Sequence, residues 1–591
     1  MIPLRISPLA CLLGALSTAA WAHADTADLI VHNAKVWTVD DSRPVAQAVS
    51  IRAGRILRVG ANDEVFRDRG PATRLIDVKG ALVLPGFIDA HTHFENAADW
   101  LFNLSLYGVT SQDELIERLR EKTARIPKGL WITGGDLGAY AAWDAQAHGE
   151  KPADIEPDLA KVDAVSPDHP VLLRRADLAY FANSKALALA RIDRDTPDPR
   201  GGRFGRERGT GQLNGMLFGR AAERVVQLVP PPTIERKLIG ARAALADLAK
   251  SGITSIHDIA RIDAVTQTQL FPTFVERSYS DVRLFEELRR RGELTVRVYP
   301  MLTLRSWSGL ARVGIAPGSG DEWIRYGALK GFVDGMMMRE PFADNPRFSG
   351  GFTFRVVDEA TMREDIVAAD RAGFDAGLHV LGDRAHGLLL DWFEAAVRRN
   401  PPRDRRFRLI HAWFPSPADV RRAGALRLIA DITPQHLIDE IPTLEKQLGA
   451  ERARFAFPWR ALADAGVRLN IVSDWPGGYA EQTPTALSPV ENIFMAVTRR
   501  GLDGRPAGGF HPEQALTVEE AVRGYTVNPA FASREEGLKG TIAERKLADL
   551  VVLSKDILTV PVAEIPSARV LYTILGGRIV YEAPPAPGGK P

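Results

Sequence analysis

Two histidines one residue apart, His91 and His93, close the apolar run Pro85-Gly-Phe-Ile-Asp-Ala90. In an extended strand residues i and i+2 share a face, so both imidazoles project to the same side. Taken alone, such a pair fits a strand end with two polar caps as well as it fits a metal site. It gains meaning from what recurs downstream, where Lys330, His379, His411 and Asp474 each end a short apolar run. Four imidazoles, a carboxylate and a lysine form a hard-to-borderline donor set without thiolate, suited to zinc or a similar divalent ion. An ammonium repels a cation, so Lys330 fits this set once its amine has reacted with carbon dioxide. The resulting carbamate has two oxygens that can bridge two metals. Burial and neighbouring cations favour the free amine that this reaction needs. Flanked by Leu329 and Phe332, Lys330 does not read as a surface lysine.

Bringing these residues together requires strands that end side by side. Strand candidates lie at 81–90, 253–257, 294–299, 326–333, 376–381, 406–413, 427–433 and 467–473. Amphipathic helical segments such as 234–250 and 281–291 precede most of them, the signature of a parallel sheet. Eight such units predict an α/β fold, a (β/α)8 TIM barrel whose chemistry sits at the C-terminal strand ends. The first connection is far longer than an ordinary loop, so residues about 97–233 are expected to form an inserted subdomain. Short β-rich runs occur at both ends: 28–39, 48–52 and 56–59, then 548–553, 570–575 and 578–581. Neither group can bury a face alone, and a shared small β-sandwich is expected from segments 25–84 and 536–591, bracketing a barrel over 85–535.

Composition narrows the function classes. The chain has 591 residues, 45% hydrophobic and 25% charged, with 75 Lys and Arg against 74 Asp and Glu. This balance is that of an ordinary globular protein and speaks against a nucleic-acid binder or a polybasic membrane binder. Residues 1–24 combine one positive charge (Arg5), an apolar stretch and Ala22-His23-Ala24, the pattern of a cleavable signal peptide. The single cysteine, Cys11, falls inside it. A neutral, cysteine-free mature chain in the periplasm or outside the cell is therefore expected, without stable membrane insertion. Oligomeric state is not legible, and a homodimer is only the commonest default.

The ordered set of motifs resembles the metal-dependent amidohydrolase superfamily, and is most similar to its amidohydrolase-3 branch, which includes N-substituted formamide deformylases. It comprises Pro85–His93, Leu329-Lys330 with Asp334-Gly335, His379-Val-Leu-Gly-Asp-Arg-Ala385, His411 and Ser473-Asp474. Asn183-Ser184, the Thr196–Gly202 turn, Val497-Thr498-Arg499 and Lys546–Val551 extend the likeness over nearly the whole mature chain. The resemblance implies that His91, His93 and Asp474 hold the more buried metal and His379 and His411 the other. It further implies that carboxylated Lys330 bridges them and that Asp474 is the general base. The expected activity is hydrolysis of a non-peptide C–N bond of a small organic molecule. A lactonase or esterase on the same site is the alternative, and a non-catalytic metal-binding protein a more distant one. Leu178 and Ile410 stand where the branch often carries His and Glu, which touches substrate contacts but not the six ligands.

Weaker candidates surround this set. His257 and Asp258 either line the pocket or cap the core. His436, after Pro434-Gln435, is either a substrate contact or a loop histidine. Asp383 is expected to cap the helix after the fifth strand, with Arg384 paired to it. Met336–Met338 and Trp475, with Leu178 and Ile410, suggest an apolar mouth, although Met336–Met338 and Trp475 equally suit packing against the insert.

Overall fold

The computed structural model describes residues 26–106, 109, 111–137, 155–175, 179–230, 232–259, 281–334, 359–477 and 487–585. The expected signal peptide, Leu178 and Met336–Met338 lie outside the described residues. Eight strands form one parallel sheet in sequence order: β1 (Phe87–Thr92), β2 (Ile253–Ile259), β3 (Arg297–Thr303), β4 (Leu329–Phe332), β5 (Ala376–Val380), β6 (Arg408–His411), β7 (Ile429–Ile432) and β8 (Arg468–Ile471). The chain just beyond β8 returns to β1. The Asp474 amide donates to the His91 carbonyl at 3.0 Å, and the His93 amide to the Trp475 carbonyl at 2.8 Å. These bonds close the barrel, the fold class expected from the sequence. Among the described residues, no helix is long and apolar enough to cross a membrane.

Two expected strands are corrected. The run at 81–90 is two strands: Leu82–Pro85 joins a terminal sheet, and the barrel strand begins only at Phe87. The break falls at Gly86, where a Cβ would lie 2.3 Å from the Thr254 hydroxyl, so the chain crosses between layers at close approach. The third strand starts at Arg297 instead of 294 and runs on to Thr303.

Strands from the two chain ends share a six-stranded sheet, in which Leu550–Leu553 pairs antiparallel with Leu82–Pro85. A four-stranded sheet of N-terminal strands packs on it through Val31, Val49, Ile51, Val83, Leu550, Val552 and Ile574. Between β1 and β2 a separate six-stranded sheet runs from Leu104–Ser105 to Leu213–Gly219 and has apolar clusters of its own. Asn183 serves this insert structurally. Its Oδ1 accepts from the Val171 and Ala186 amides, and its side-chain amide donates to the His169 carbonyl.

The barrel is pinned to the terminal sheet by Arg297 of β3. Its guanidinium forms a two-pronged ion pair with Asp549 at 2.7 and 3.0 Å, both groups nearly fully buried. Asp549 also accepts from the Gly576 amide through Oδ1, and its carbonyl accepts from Gly86. Removing one partner strands the other charge in the interior. Asp549→Ala is therefore expected to lower unfolding free energy by about 3–5 kcal/mol, read as a fall in denaturant midpoint. A variant as stable as the parent would show that the pair does not anchor the two layers.

Candidate metal centre

Alternation along each strand decides what faces the barrel axis. In β5 a Cβ at Gly377 would meet Met301, Ile410 and Arg408 side chains, so Gly377 and, two residues on, His379 point inward. Just before β4 the buried Ala328 belongs to the inner cluster with Ile259, Tyr299, Met301 and Ile410, and Lys330 follows it by two. His411 breaks this rule. Arg408 and Ile410 already occupy the inner face of β6, so strict alternation sends His411 outward. Left-handed backbone at His411 (φ 75°) and Ala412 (φ 48°) turns the chain there. The His411 ring thereby lies 4.7 Å from that of His379 and 5.1 Å from that of His91. Asp474 is also left-handed, φ 58°. Such conformations cost about 1–3 kcal/mol each for ordinary residues and cluster at functional sites.

The result is a buried convergence. Nε2 of His91 and Nε2 of His93 each lie 3.1 Å from Asp474 Oδ1. His436 Nε2 approaches the other oxygen, Oδ2, at 3.3 Å. Two overlapping triads follow, His91–His93–Asp474 and His411–His436–Asp474, each with ligand atoms within 4.8 Å of one another. Among the described residues, His91 Nε2 and Asp474 Oδ1 are fully enclosed and, though 3.1 Å apart, make no contact of hydrogen-bond geometry. Leaving such atoms unsatisfied is costly, and a divalent cation satisfies them together. The donor set thus fits a metal.

Electrostatics agree. Burial first, then the nearby Lys330, pushes His91 down to about 3, so its imidazole is a neutral donor. Burial and the neighbouring His379 likewise hold His411 well below the usual histidine range. Burial opposes ionisation of Asp474, yet attraction to His91 and close contacts with His436, His91 and His93 overcome it and hold the carboxyl well below its usual range. Neutral His91 and His411 beside an ionised Asp474 are the protonation states a cation requires. Lys330 is buried, with Nζ 4.7 Å from the Phe332 ring centre. Burial lowers it to about 7, against the pull of Asp474 and Asp431 and with the help of Arg408.

The weaker candidates sort out clearly. His436 opens the helix Pro434–Leu448 directly after β7 and joins the centre. His257 instead faces the barrel interior, 3.2 Å from Arg408 and 4.8 Å from the Tyr299 ring. Asp258 accepts from the Phe94 amide at 2.8 Å and so fixes the turn that follows His93. Asp383 is not the cap of its helix. Gly382 holds that position, and Asp334 accepts from the Leu381 and Gly382 amides instead. The Arg384 guanidinium reaches Glu359, while its backbone amide donates to Asp383 Oδ1 at 2.6 Å. Ile410 is fully buried in the barrel's inner cluster and Trp475 nearly so in the main core. Aromatic rings beside the centre include Phe332, 5.4 Å from His379, and Trp413, 5.5 Å from His436.

A polar layer below the centre was not anticipated. Arg408 and Asp431 form a fully buried ion pair, and Asn470 donates to Asp431 at 2.7 Å. Arg408 also donates to the Ala90 carbonyl at 2.6 Å, immediately before His91. Charged residues in mid-strand at positions 408 and 431 were the available signal.

Against known proteins, the sequence model described as "Amidohydrolase family" matches residues 74–581. The chain belongs to the amidohydrolase family. It is thus a metal-dependent hydrolase of carbon–nitrogen bonds other than peptide bonds. Protein LONG AFTER FAR-RED 3 of Arabidopsis thaliana is 30% identical, over 94% of this chain and 92% of its own. The N-substituted formamide deformylase of Arthrobacter pascens is 29% identical, over 94% of this chain and 98% of its own. An uncharacterized metal-dependent hydrolase from Pyrococcus furiosus shares the fold, with a TM-score of 0.66 at 23% identity, covering 90% of this chain and 100% of that one.

His93→Ala is expected to weaken divalent-metal binding by more than the ~10–100-fold typical of losing a supporting group, without unfolding the chain. Equilibrium dialysis with metal analysis, beside far-UV circular dichroism, checks this. Undiminished metal content would remove His93 from the ligand set.

Proposed function

We propose that this chain hydrolyses a small N-substituted amide or formamide at a pair of divalent ions, zinc by preference, bridged by carboxylated Lys330. The observation that carries the reading is the convergence of imidazoles on the two oxygens of Asp474, beside a buried lysine. His91, His93 and Asp474 would hold one ion and His379 and His411 the other, with Lys330 between them. Such ions, when bound, lower the pKa of water and polarise a carbonyl.

The chain's own groups supply the rest. Asp474, ionised and central, would take a proton from the attacking water and return it to the leaving nitrogen. His436 touches the free side of that carboxylate and orients it. Phe332 and Trp413 flank the histidines with aromatic surface, which favours a substrate with an apolar substituent. Burying a large apolar group is worth roughly 1.5–3 kcal/mol, enough to rank substrates tenfold or more. The choice of amide or formamide draws on the likeness to the deformylase and is an analogy at the level of family.

Metal analysis of protein purified without chelator should find close to two ions per chain; one ion with full activity would end the binuclear reading. Asp474→Asn is expected to lose on the order of 10²–10⁴-fold in turnover. Loss of Lys330 as alanine should abolish activity, with partial recovery in a short-chain carboxylate. Since Lys330 lies at about 7, carbon dioxide reacts with its neutral amine. Reactivation of metal-free enzyme by bicarbonate and metal should therefore fail progressively as pH drops through about 7. A panel of N-alkyl and N-aryl formamides and acetamides, with matched esters and lactones, tests the bond. Turnover of esters alone would refute the amide assignment and leave the metal centre standing. The pattern of residues 1–24 supports export with cleavage near Ala24, and an intact Met1 terminus in the cytosol would contradict it.

A further inference from the structure

The motif Val497-Thr498-Arg499 takes no part in the metal centre, yet it ends in a charge that the protein hides completely. Arg499 follows the helix Pro489–Thr498 and caps it with left-handed backbone, φ 52°. Its guanidinium donates from Nε to the Phe510 carbonyl at 2.5 Å, from Nη1 to that of Phe457 at 3.1 Å and from Nη2 to that of Ala456 at 3.5 Å. It also lies 4.5 Å from the Trp459 ring centre. Among the described residues, the side-chain hydrogen bonds of Arg499 thus all end on main-chain carbonyls. Burial pulls it down to about 9, against the attraction of Glu513. A cation buried on neutral acceptors is a costly way to fill a core. What it provides is a planar fork whose donors fix several chain segments at once.

One of those segments leads to the metal centre. Phe457 is left-handed, φ 51°, a conformation that a bulky residue adopts only where its surroundings hold it. Its carbonyl accepts from Arg499 and, at 2.8 Å, from the Trp459 amide, while its own amide donates to the Trp413 carbonyl at 2.7 Å. The Phe457 ring packs on that of Trp413 with centres 5.2 Å apart. Buried tryptophans are usually anchored by their indole N–H. That of Trp413 is enclosed and has no hydrogen-bond partner among the described residues. Packing and main-chain bonds, those of Phe457 included, must therefore hold the ring. The same ring stands 5.5 Å from His436, which in turn meets Asp474.

We propose that Arg499 is a positioning residue for the substrate. By clamping the carbonyls of Ala456, Phe457 and Phe510 it holds Phe457 against Trp413, and so fixes the indole as the wall that receives an apolar substituent beside the metal centre. This rests on the function proposed above, in which Trp413 flanks the bound substrate.

The probes are benzohydroxamate and acetohydroxamate, which share a metal-binding head and differ by an aromatic ring. Both are titrated calorimetrically into metal-loaded, full-length protein, and the parent should prefer benzohydroxamate. Arg499→Lys keeps the charge but lacks the fork. It should lower that preference by about tenfold and leave acetohydroxamate affinity and metal content unchanged. Trp413→Ala should lower it equally, and adding Arg499→Lys to Trp413→Ala should cost nothing more. A merely structural arginine would not show that non-additivity. A second readout needs no metal: fluorine NMR of protein labelled with 5-fluorotryptophan, the Trp413 signal being identified by its loss in Trp413→Phe. That signal should shift or broaden in Arg499→Lys. Arg499→Gln, uncharged, serves if the lysine variant fails to fold. No aryl preference in the parent, a preference unchanged by the substitution, additive losses in the double variant, or an unmoved Trp413 signal would each overturn the proposal. Failure of the parent to bind either hydroxamate would instead refute the metal centre, and the fluorine signal alone would then decide the role of Arg499.

Discussion

The structure turns on one seam, where the chain after the eighth barrel strand meets the first. Two main-chain hydrogen bonds, Asp474 to His91 and His93 to Trp475, close it. Asp89 adds a third tie, accepting from both the His91 and Ser473 amides at 3.2 Å. The seam does more than complete a cylinder. It sets the imidazoles of His91 and His93, at the end of the first strand, against a carboxylate oxygen just beyond the last. A barrel left open here would keep a hydrophobic core but lose the arrangement that makes it a metal centre.

Beneath that arrangement the barrel is filled by charge as well as by hydrocarbon. A buried ion pair such as Arg408–Asp431 is poor evidence of stability, because desolvation offsets much of the attraction. Its value lies in direction. Arg408 reaches from the sixth strand to the carbonyl of Ala90 in the first and to Asp431 in the seventh, with His257 of the second beside it. Strands on opposite sides of the barrel are thereby tied to one rigid group just below the ligands. Rigid support of this kind is what holds a ligand set in place through turnover.

Much of this was legible in the sequence, for physical reasons that differ by residue. His91, His93, Lys330 and His379 could be read because a strand repeats every two residues and its C-terminal end marks the barrel mouth. His411 was chosen from its place at a strand end, but periodicity alone points it the wrong way. Only left-handed backbone, which no propensity of His or Ala announces, brings it to the centre. Ile410 shares the inner face of its strand with Arg408. His436 could have been read with more weight. A proline directly after Thr433 marks a helix beginning at a strand end, which puts the next turn over the mouth. The single strand expected at 81–90 failed because apolar continuity hides a change of sheet, marked only by Gly86.

The seam also has a consequence for how the protein comes into being. Its two halves are encoded 384 residues apart, as measured between Asp89 and Ser473, and the terminal sheet likewise needs both chain ends. During synthesis the early segment emerges without its partner, and contacts of such sequence separation are slow to form. The insert, with its own sheet and core, can settle first while His91 and His93 wait. A nascent or truncated chain therefore carries two of the proposed ligands without the carboxylate beside which the finished fold sets them. With that ligand set, tight metal binding would come only at the end of folding.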